Sequence, residues 1–223
     1  MQKQINKKII LYLFIFILLG TLSNKNLLKD SLKKNYNLEI ISLSNFDDEE
    51  IIKELSIFRY QNLFFLKKNQ IFEILNKHKI VEELNIFKNY PSKLNIEIRK
   101  TKFLAVTKKN GVDFYIGSNG NLIKVKEDKY DQPFIFGDVE VVEFLKLKRL
   151  IDNSNFNFFD IKNFFYFKSK RWDIEMNNGL LIKLPLENLS KSFEILSTII
   201  NKKDSENINY IDLRQKNQII LNG

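Results

Sequence analysis

Few residues in this chain could do covalent or acid–base chemistry. There is one histidine, His78, and no cysteine, so neither a histidine-activated thiol nor a thiolate metal site can form. No Gly-x-Ser-x-Gly elbow, His-Glu-x-x-His helix or Gly-rich phosphate loop occurs. Carboxylates remain. Asp173 and Glu175 are two apart, which on a strand turns both toward one face, where a pair could divide acid and base roles. Nothing in the neighbouring sequence would raise a pKa or hold a substrate. The pair reads better as the solvated side of a strand whose Trp172, Ile174 and Met176 face inward. Asp47, Asp48, Glu49 and Glu50 crowd the start of a helical pattern, where negative charge complements the helix dipole, and read as surface rather than as a metal cage. The expectation is a protein with no catalytic residues, cofactor, metal or small-molecule substrate, acting through its surfaces.

Composition narrows the surfaces. The 223 residues are 44% apolar, enough for two modest cores. The formal charge of +9 suggests nucleic acid, but residues 1–36 carry seven lysines and one aspartate, leaving +3 for everything after them. A duplex-binding domain needs its basic residues on the folded body, so no nucleic-acid partner is expected. The excess flanks Ile9 to Leu22, fourteen residues without a charge. As a helix this run covers about 21 Å, short of the roughly 30 Å of a bilayer core, and is the length of a signal-peptide core. It can be lengthened to residue 28 by snorkelling Lys25 outward. Lysines on both sides leave the orientation open, and Thr21-Leu22-Ser23 offers small residues for cleavage.

The elements that must carry any surface follow from periodicity. Leu38 to Ile41 reads as a strand. Ile51, Ile52 and Leu55 supply the buried face of a helix, and Ile71, Ile74, Leu75 and His78 that of a second. Leu84 to Phe87 and Leu94 to Ile98 alternate around Tyr90-Pro91-Ser92, a hairpin. Further on, Phe103 to Thr107 and Val112 to Ile116 read as strands, Gly117 to Gly120 as a turn, and Asp138 as the N-cap of a helix ending about Asp152. Phe158 to Phe167 reads as a buried strand. Trp172 to Met176, Asn177-Asn178-Gly179 and Leu180 to Leu184 form a second hairpin. A helix with Leu189, Phe193, Leu196, Ile199 and Ile200 on one face precedes last strands at Tyr210 to Leu213 and Ile219 to Leu221.

The ordered set Arg171-Trp172-Asp173, Asn178-Gly179, Lys183-Leu184-Pro185 and, after a helix, Ile211-Asp212-Leu213-Arg214 resembles the C-terminal half of the bacterial division protein family FtsQ, called DivIB in other bacteria. The order strand, helix, helix, strand, strand, with Leu63-Phe64, Ile71 to Leu75 and Tyr90 to Leu94, is similar to the POTRA module of that family. The chain departs from the pattern at Lys100, Phe103, Asn45, Gly117 and Gln215.

The resemblance implies an α+β protein: a cytoplasmic tail (1–8), a single transmembrane helix (9–28), a β-α-α-β-β POTRA domain (37–102), and a mainly antiparallel β domain with two flanking helices (103–223). It implies a bitopic scaffold at the septum, N-terminus in the cytoplasm and body in the periplasm of an inner membrane. Such a scaffold would bind FtsB-type and FtsL-type proteins through its C-terminal strand and upstream divisome proteins through POTRA. Strand addition to an exposed edge is the physical means. Arg171 and Arg214 would make charged contacts, with Tyr210, Gln215, Ile219 and Leu221 near the added strand. Arg214 could instead simply pair with Asp212. The rival reading is a POTRA-bearing chaperone or transport component that receives extended polypeptides; another is a soluble periplasmic protein released by signal cleavage.

Overall fold

The computed structural model describes residues 7–21, 37–42, 49–90, 93–126, 130–200, 208–215 and 218–222. The chain forms two compact units, Met1–Leu75 with Leu84–Ile98, and Asn76–Glu83 with Arg99–Gly223.

The first unit holds helix α1 (Lys7–Thr21), strand β1 (Asn37–Ser42), helix α2 (Glu49–Ser56), a 3-10 turn (Ile57–Tyr60) and helix α3 (Lys68–Leu75). It also holds most of β2 (Val81–Asn89) and β3 (Lys93–Lys100). The strands lie in the order β1-β3-β2, with β1 parallel to β3 from Asn37 opposite Lys93 to Ser42 opposite Ile98. The strand, helix, helix, strand, strand order is therefore as the spacing predicts. Ile51 and Leu55 on α2, Ile71 and Leu75 on α3, and alternate residues Leu94, Ile96 and Ile98 on β3 are all buried. These are the i, i+4 and i, i+2 positions that share a face.

Two details differ from expectation. Ile52 is 43% exposed, because one residue past Ile51 is a turn of about 100° off the buried stripe. His78 lies beyond the end of α3 rather than in its last turn. Glu49 and Glu50 form the first turn of α2, and Asp47 and Asp48 lie outside the described residues.

The apolar side chains of α1 from Ile9 to Leu18 are all exposed. Among the described residues no helix is long and apolar enough to cross a membrane. The expected span continues to residue 28, outside the described residues.

Among the described residues the second unit holds one nine-stranded sheet and two α-helices. In chain order it has β4 (Phe103–Lys109), β5 (Val112–Gly117), β6 (Leu122–Lys124), β7 (Phe134–Phe136), α4 (Val141–Asp152), β8 (Ile161–Tyr166), β9 (Trp172–Met176), β10 (Leu181–Lys183), α5 (Leu189–Ile200), β11 (Tyr210–Asp212) and β12 (Ile220–Asn222). The strand order is β12-β11-β10-β9-β8-β7-β4-β5-β6. Three pairings, β4 with β7, β7 with β8 and β10 with β11, are parallel, and the other five are antiparallel. Ala105, Ile116, Ile135, Phe164, Ile174, Ile182 and Ile211 pack in one core with Phe144, Leu147 and Ile151 of α4 and Phe193 and Leu196 of α5.

The aromatic stretch at 158–167 divides. Phe164 is fully buried against Phe144 and Trp172, whereas Phe159, in the turn before β8, is 86% exposed. Asp138 is not the helix cap. That place falls to Glu140, without a side-chain cap bond, and Asp138 pairs instead with Lys109, which holds its carboxyl below the usual range. A residue 29 positions away thus outbids the local amides.

Candidate protein-interaction site

The β12 end of the sheet is built from the hairpin and the last two strands. Asn178-Gly179 closes the β9–β10 turn with Gly179 at φ 88°, a left-handed conformation that glycine adopts without strain. β10 then pairs in parallel with β11, and Leu213 N donates to Lys183 O at 2.9 Å, carrying the pairing one residue past β11. β12 folds back antiparallel, setting Ile211 opposite Leu221 and Asp212 opposite Ile220. Among the described residues no strand lies on its other side. Ile219, Ile220 and Leu221 are 45%, 40% and 49% exposed.

Charges are laid across the strands in register. Asp173 of β9 is opposite Lys183 of β10, which is opposite Asp212 of β11. Both aspartates are buried, so the expectation of a solvated Asp173 is overturned. Period two fixes the face a residue takes but not what covers it. Each aspartate has an arginine two residues away. Arg171 Nε donates to Asp173 Oδ1 at 3.2 Å. Arg214 donates to Asp212 from its backbone N at 3.0 Å and from Nε at 2.8 and 2.9 Å, with Nη2 on Oδ2 as well.

The balance differs accordingly. Burial pushes the Asp173 carboxyl up, against the opposing pull of Arg171, Arg214 and Lys183. The Arg214 hydrogen bonds hold Asp212 below its ordinary value, outweighing its burial, and Asp212 in turn raises Arg214. The other strand-face carboxylate, Glu175, is engaged by Asn163 at 2.8 Å and Lys162 at 3.1 Å. Asn163 and Lys162 lower its pKa. These carboxylates are structural counter-ions, and among the described residues no group of acids or histidine could hold a metal.

Beside β12 lies a groove of about 750 Å³. Arg171, Arg214, Gln215 and Ile219, four of the six residues singled out from sequence, line it together. Tyr210 is not in its wall. It is half-buried on β11, with Lys183 Nζ 4.9 Å from its ring centre. Leu221 is on the edge strand rather than in the groove. The opposite wall, missed from sequence, comes from the segment before α5 and from α5 itself: Leu186, Lys191 and Ile195. Leu186 is 60% exposed just after Lys183-Leu184-Pro185, a signal that was legible but has no period to tie it to a site. Three cationic side chains, Arg171, Lys191 and Arg214, and one acid, Glu187, line the groove, with Arg171 and Arg214 also paired to Asp173 and Asp212. Its Arg214 is paired with Asp212, the alternative the sequence left open for it, and also lines the groove.

Comparison with known proteins gives two family matches. The family model described as cell division protein FtsQ/DivIB, C-terminal, matches residues 105–214, and POTRA domain, FtsQ-type, matches residues 34–100. The cell division protein FtsQ of Rickettsia bellii is 24% identical over 199 residues, covering 83% of this chain and 70% of that one. The cell division protein DivIB of Clostridium botulinum (strain Loch Maree) is 27% identical over 158 residues, covering 66% of this chain and 58% of that one. The extracytoplasmic domain of DivIB from Geobacillus stearothermophilus matches with a TM-score of 0.34 and 14% identity, over 45% of this chain and 92% of that domain. β12 lies beyond the C-terminal match, which ends at Arg214.

Proposed function

Because this chain belongs to the FtsQ/DivIB family of non-enzymatic cell-division proteins and carries that family's type of POTRA domain, we propose that it is a bitopic scaffold of the divisome. In this reading residues 9–28 anchor it in the inner membrane with the N-terminus in the cytoplasm, and the two domains, 37–102 and 103–223, stand outside at the septum. The exposed apolar side chains of α1 support the anchor, since a helix apolar on every face needs lipid or protein around it. The POTRA domain would meet upstream division proteins.

One observation carries the proposed mode of binding: an apolar edge strand, β12, whose outer side has no neighbour among the described residues, bordering a groove lined by Arg171, Lys191 and Arg214. An FtsB-type segment, held with its FtsL-type partner, would add to β12 through main-chain hydrogen bonds. Acidic side chains of that segment would be drawn to Arg171 and Arg214. Strand addition supplies affinity, and the charges select among strands.

The test is co-purification of the full-length chain with the FtsB-type and FtsL-type proteins of the same organism. Removing residues 218–223 should abolish recovery of the pair, and Arg214→Glu should weaken binding by about 1.5–3 kcal/mol. Full recovery after the truncation would sink the edge-strand mode.

A further inference from the structure

We infer that the first unit carries a lipid contact of its own, separate from α1. It is an aromatic and basic apex made by Phe64, Phe65 and Tyr90 with Lys67 and Lys68, fitted to an anionic bilayer surface. The inference rests on the tethered reading above.

Three large aromatics stand out from the unit. Phe65 is 79% exposed, Phe64 62% and Tyr90 54%, although Phe64 and Tyr90 stack with ring centres 4.7 Å apart. Stacking hides little of either ring, so what remains open is most of three side chains at one place. The loop is built to present them. Leu63 and Leu66 are buried on either side, and between them the backbone is pinned in a turn. Phe64 N donates to Asn62 Oδ1 at 2.9 Å, and Phe65 N and Leu66 N donate to Asn62 O at 3.1 and 3.0 Å. Lys88 Nζ ties the Leu66 carbonyl to β2, next to the hairpin end that bears Tyr90. Lys67 and Lys68 follow at once, both exposed.

The occupant is indicated by where the chain comes from. Asn37, the first residue of β1, is in register with Lys93, the first residue of β3, so the chain reaches the sheet at the end where the Tyr90 turn lies. The fifteen residues between Thr21 and Asn37 reach at most about 50 Å when fully extended, so this is the tethered end of the sheet, held within that distance of α1. Those residues carry Lys25, Lys29, Lys33 and Lys34 against Asp30. Aromatic rings at headgroup depth beside lysines are the composition of an interfacial contact. A second copy of the chain, docked symmetrically on this apex, would bring Lys67 and Lys68 against their own counterparts. Anionic lipid meets the same lysines with complementary charge.

The absence of cysteine allows a clean experiment. The full-length chain, as Asn69→Cys beside the apex or Ser169→Cys in the second unit, is labelled with an environment-sensitive fluorophore. It is then reconstituted into vesicles of zwitterionic lipid with or without 30% phosphatidylglycerol. Flotation with the vesicles reports the anchor; the emission of the label reports the apex. The expected result is a blue-shifted Asn69 label on anionic vesicles only, with the Ser169 label unmoved. Replacing Phe64, Phe65 and Tyr90 by serine should remove the shift. Lys67→Glu with Lys68→Glu should lower the bound-to-unbound ratio about tenfold or more, and high salt should act in the same direction without any substitution. A chain that floats while its Asn69 label stays in water, or shifts equally on zwitterionic vesicles, overturns the apex and leaves the anchor standing. A shift that grows with protein density in the vesicle points to a second copy and also overturns it. Failure to float overturns the anchor, and this inference with it.

Discussion

The two ends of the nine-stranded sheet are built from strands of equal length and treated oppositely. At one end β6 carries Leu122 and Ile123 half-buried and finishes on Lys124. The turn leading into it is stitched to the rest of the second unit: Asn119 Nδ2 donates to Lys79 O at 2.9 Å and Val81 O at 3.1 Å, and Thr101 Oγ1 meets Ser118 Oγ at 3.1 Å. Gly117 permits this closeness, because a β-carbon there would stand 2.6 Å from Asn119 Oδ1 and 2.7 Å from Thr101 Oγ1. That also gives a local reason for glycine at one of the positions where the chain departs from the family pattern. At the other end β12 shows exposed Ile220 and Leu221, with Ile219 exposed just before them, and no charge of its own. Sheets protect edges by shortness, charge and cover, and among the described residues only the β6 edge carries a charge. That difference is what the proposed addition of a partner strand to β12 rests on.

The largest expected effect breaks the comparison directly. Deleting residues 218–223 should lower affinity for the FtsB-type partner at least about a hundredfold, as measured with the full-length chain, since main-chain pairing goes with the strand. Ile123→Lys on β6 should leave that affinity within about twofold. Equal losses would mean that neither edge is special.

A second substitution separates damage to the fold from damage to an edge. Gly137 follows β7 at φ 106°, and a β-carbon there would lie 2.0 Å from the Tyr166 carbonyl oxygen. Gly137→Ala should therefore cost about 3 kcal/mol or more of stability by denaturant titration, from backbone strain and the displaced strand together. Because Gly137 touches neither edge, partner affinity measured on the folded fraction should survive.

Much of this was legible in one dimension, for a physical reason. Where a segment's partners are close in sequence, its period and turn chemistry describe the structure: the Asn178-Gly179 hairpin, the Ile51/Leu55 and Ile71/Leu75 faces, and the strand, helix, helix, strand, strand order of the first unit. Where partners are far away, it does not. The parallel pairings of β7 with β8 and of β10 with β11 depend on crossovers through α4 and α5, and Lys109 reaches Asp138 across 29 residues. The groove shows both cases. Arg171 and Arg214 belong to the motif and Gln215 and Ile219 to the stretch expected beside an added strand, while Lys191 and Ile195 join them only because α5 folds back over the same strands.

A smaller effect sharpens the account of the open end. Arg214→Gln keeps a donor for Asp212 but removes the charge, so partner binding should weaken by about 1–2 kcal/mol at low salt and by less at high salt. Arg171→Gln should behave alike, because Arg171 lines the same groove. A loss for one and none for the other, by titration calorimetry, would place the acidic partner on one side only.

The smallest effect distinguishes the two aspartates beneath those arginines. Asp212 is held below its ordinary pKa by Arg214, so its contribution to stability is present above the unfolded value of about 3.9 and fades as pH falls through the folded one. Asp173 is pushed up by burial, so its titration works the other way: its folded form is favoured while protonated, and stability is lost as pH rises through its raised value. Thermal unfolding of the full-length chain between pH 3 and 7 should thus lose less on acidification in Asp212→Asn than in the unaltered protein, and more in Asp173→Asn. Two carboxylates flanking the same lysine, each with an arginine two residues away, should move the acid limb in opposite directions. The causes are burial, which dominates at Asp173 beside one Arg171 hydrogen bond at 3.2 Å, and the several Arg214 hydrogen bonds, which dominate at Asp212. If both variants shift the limb the same way, burial rather than bond number governs this end of the sheet, and Arg214 is freer to meet a partner than its contacts with Asp212 imply.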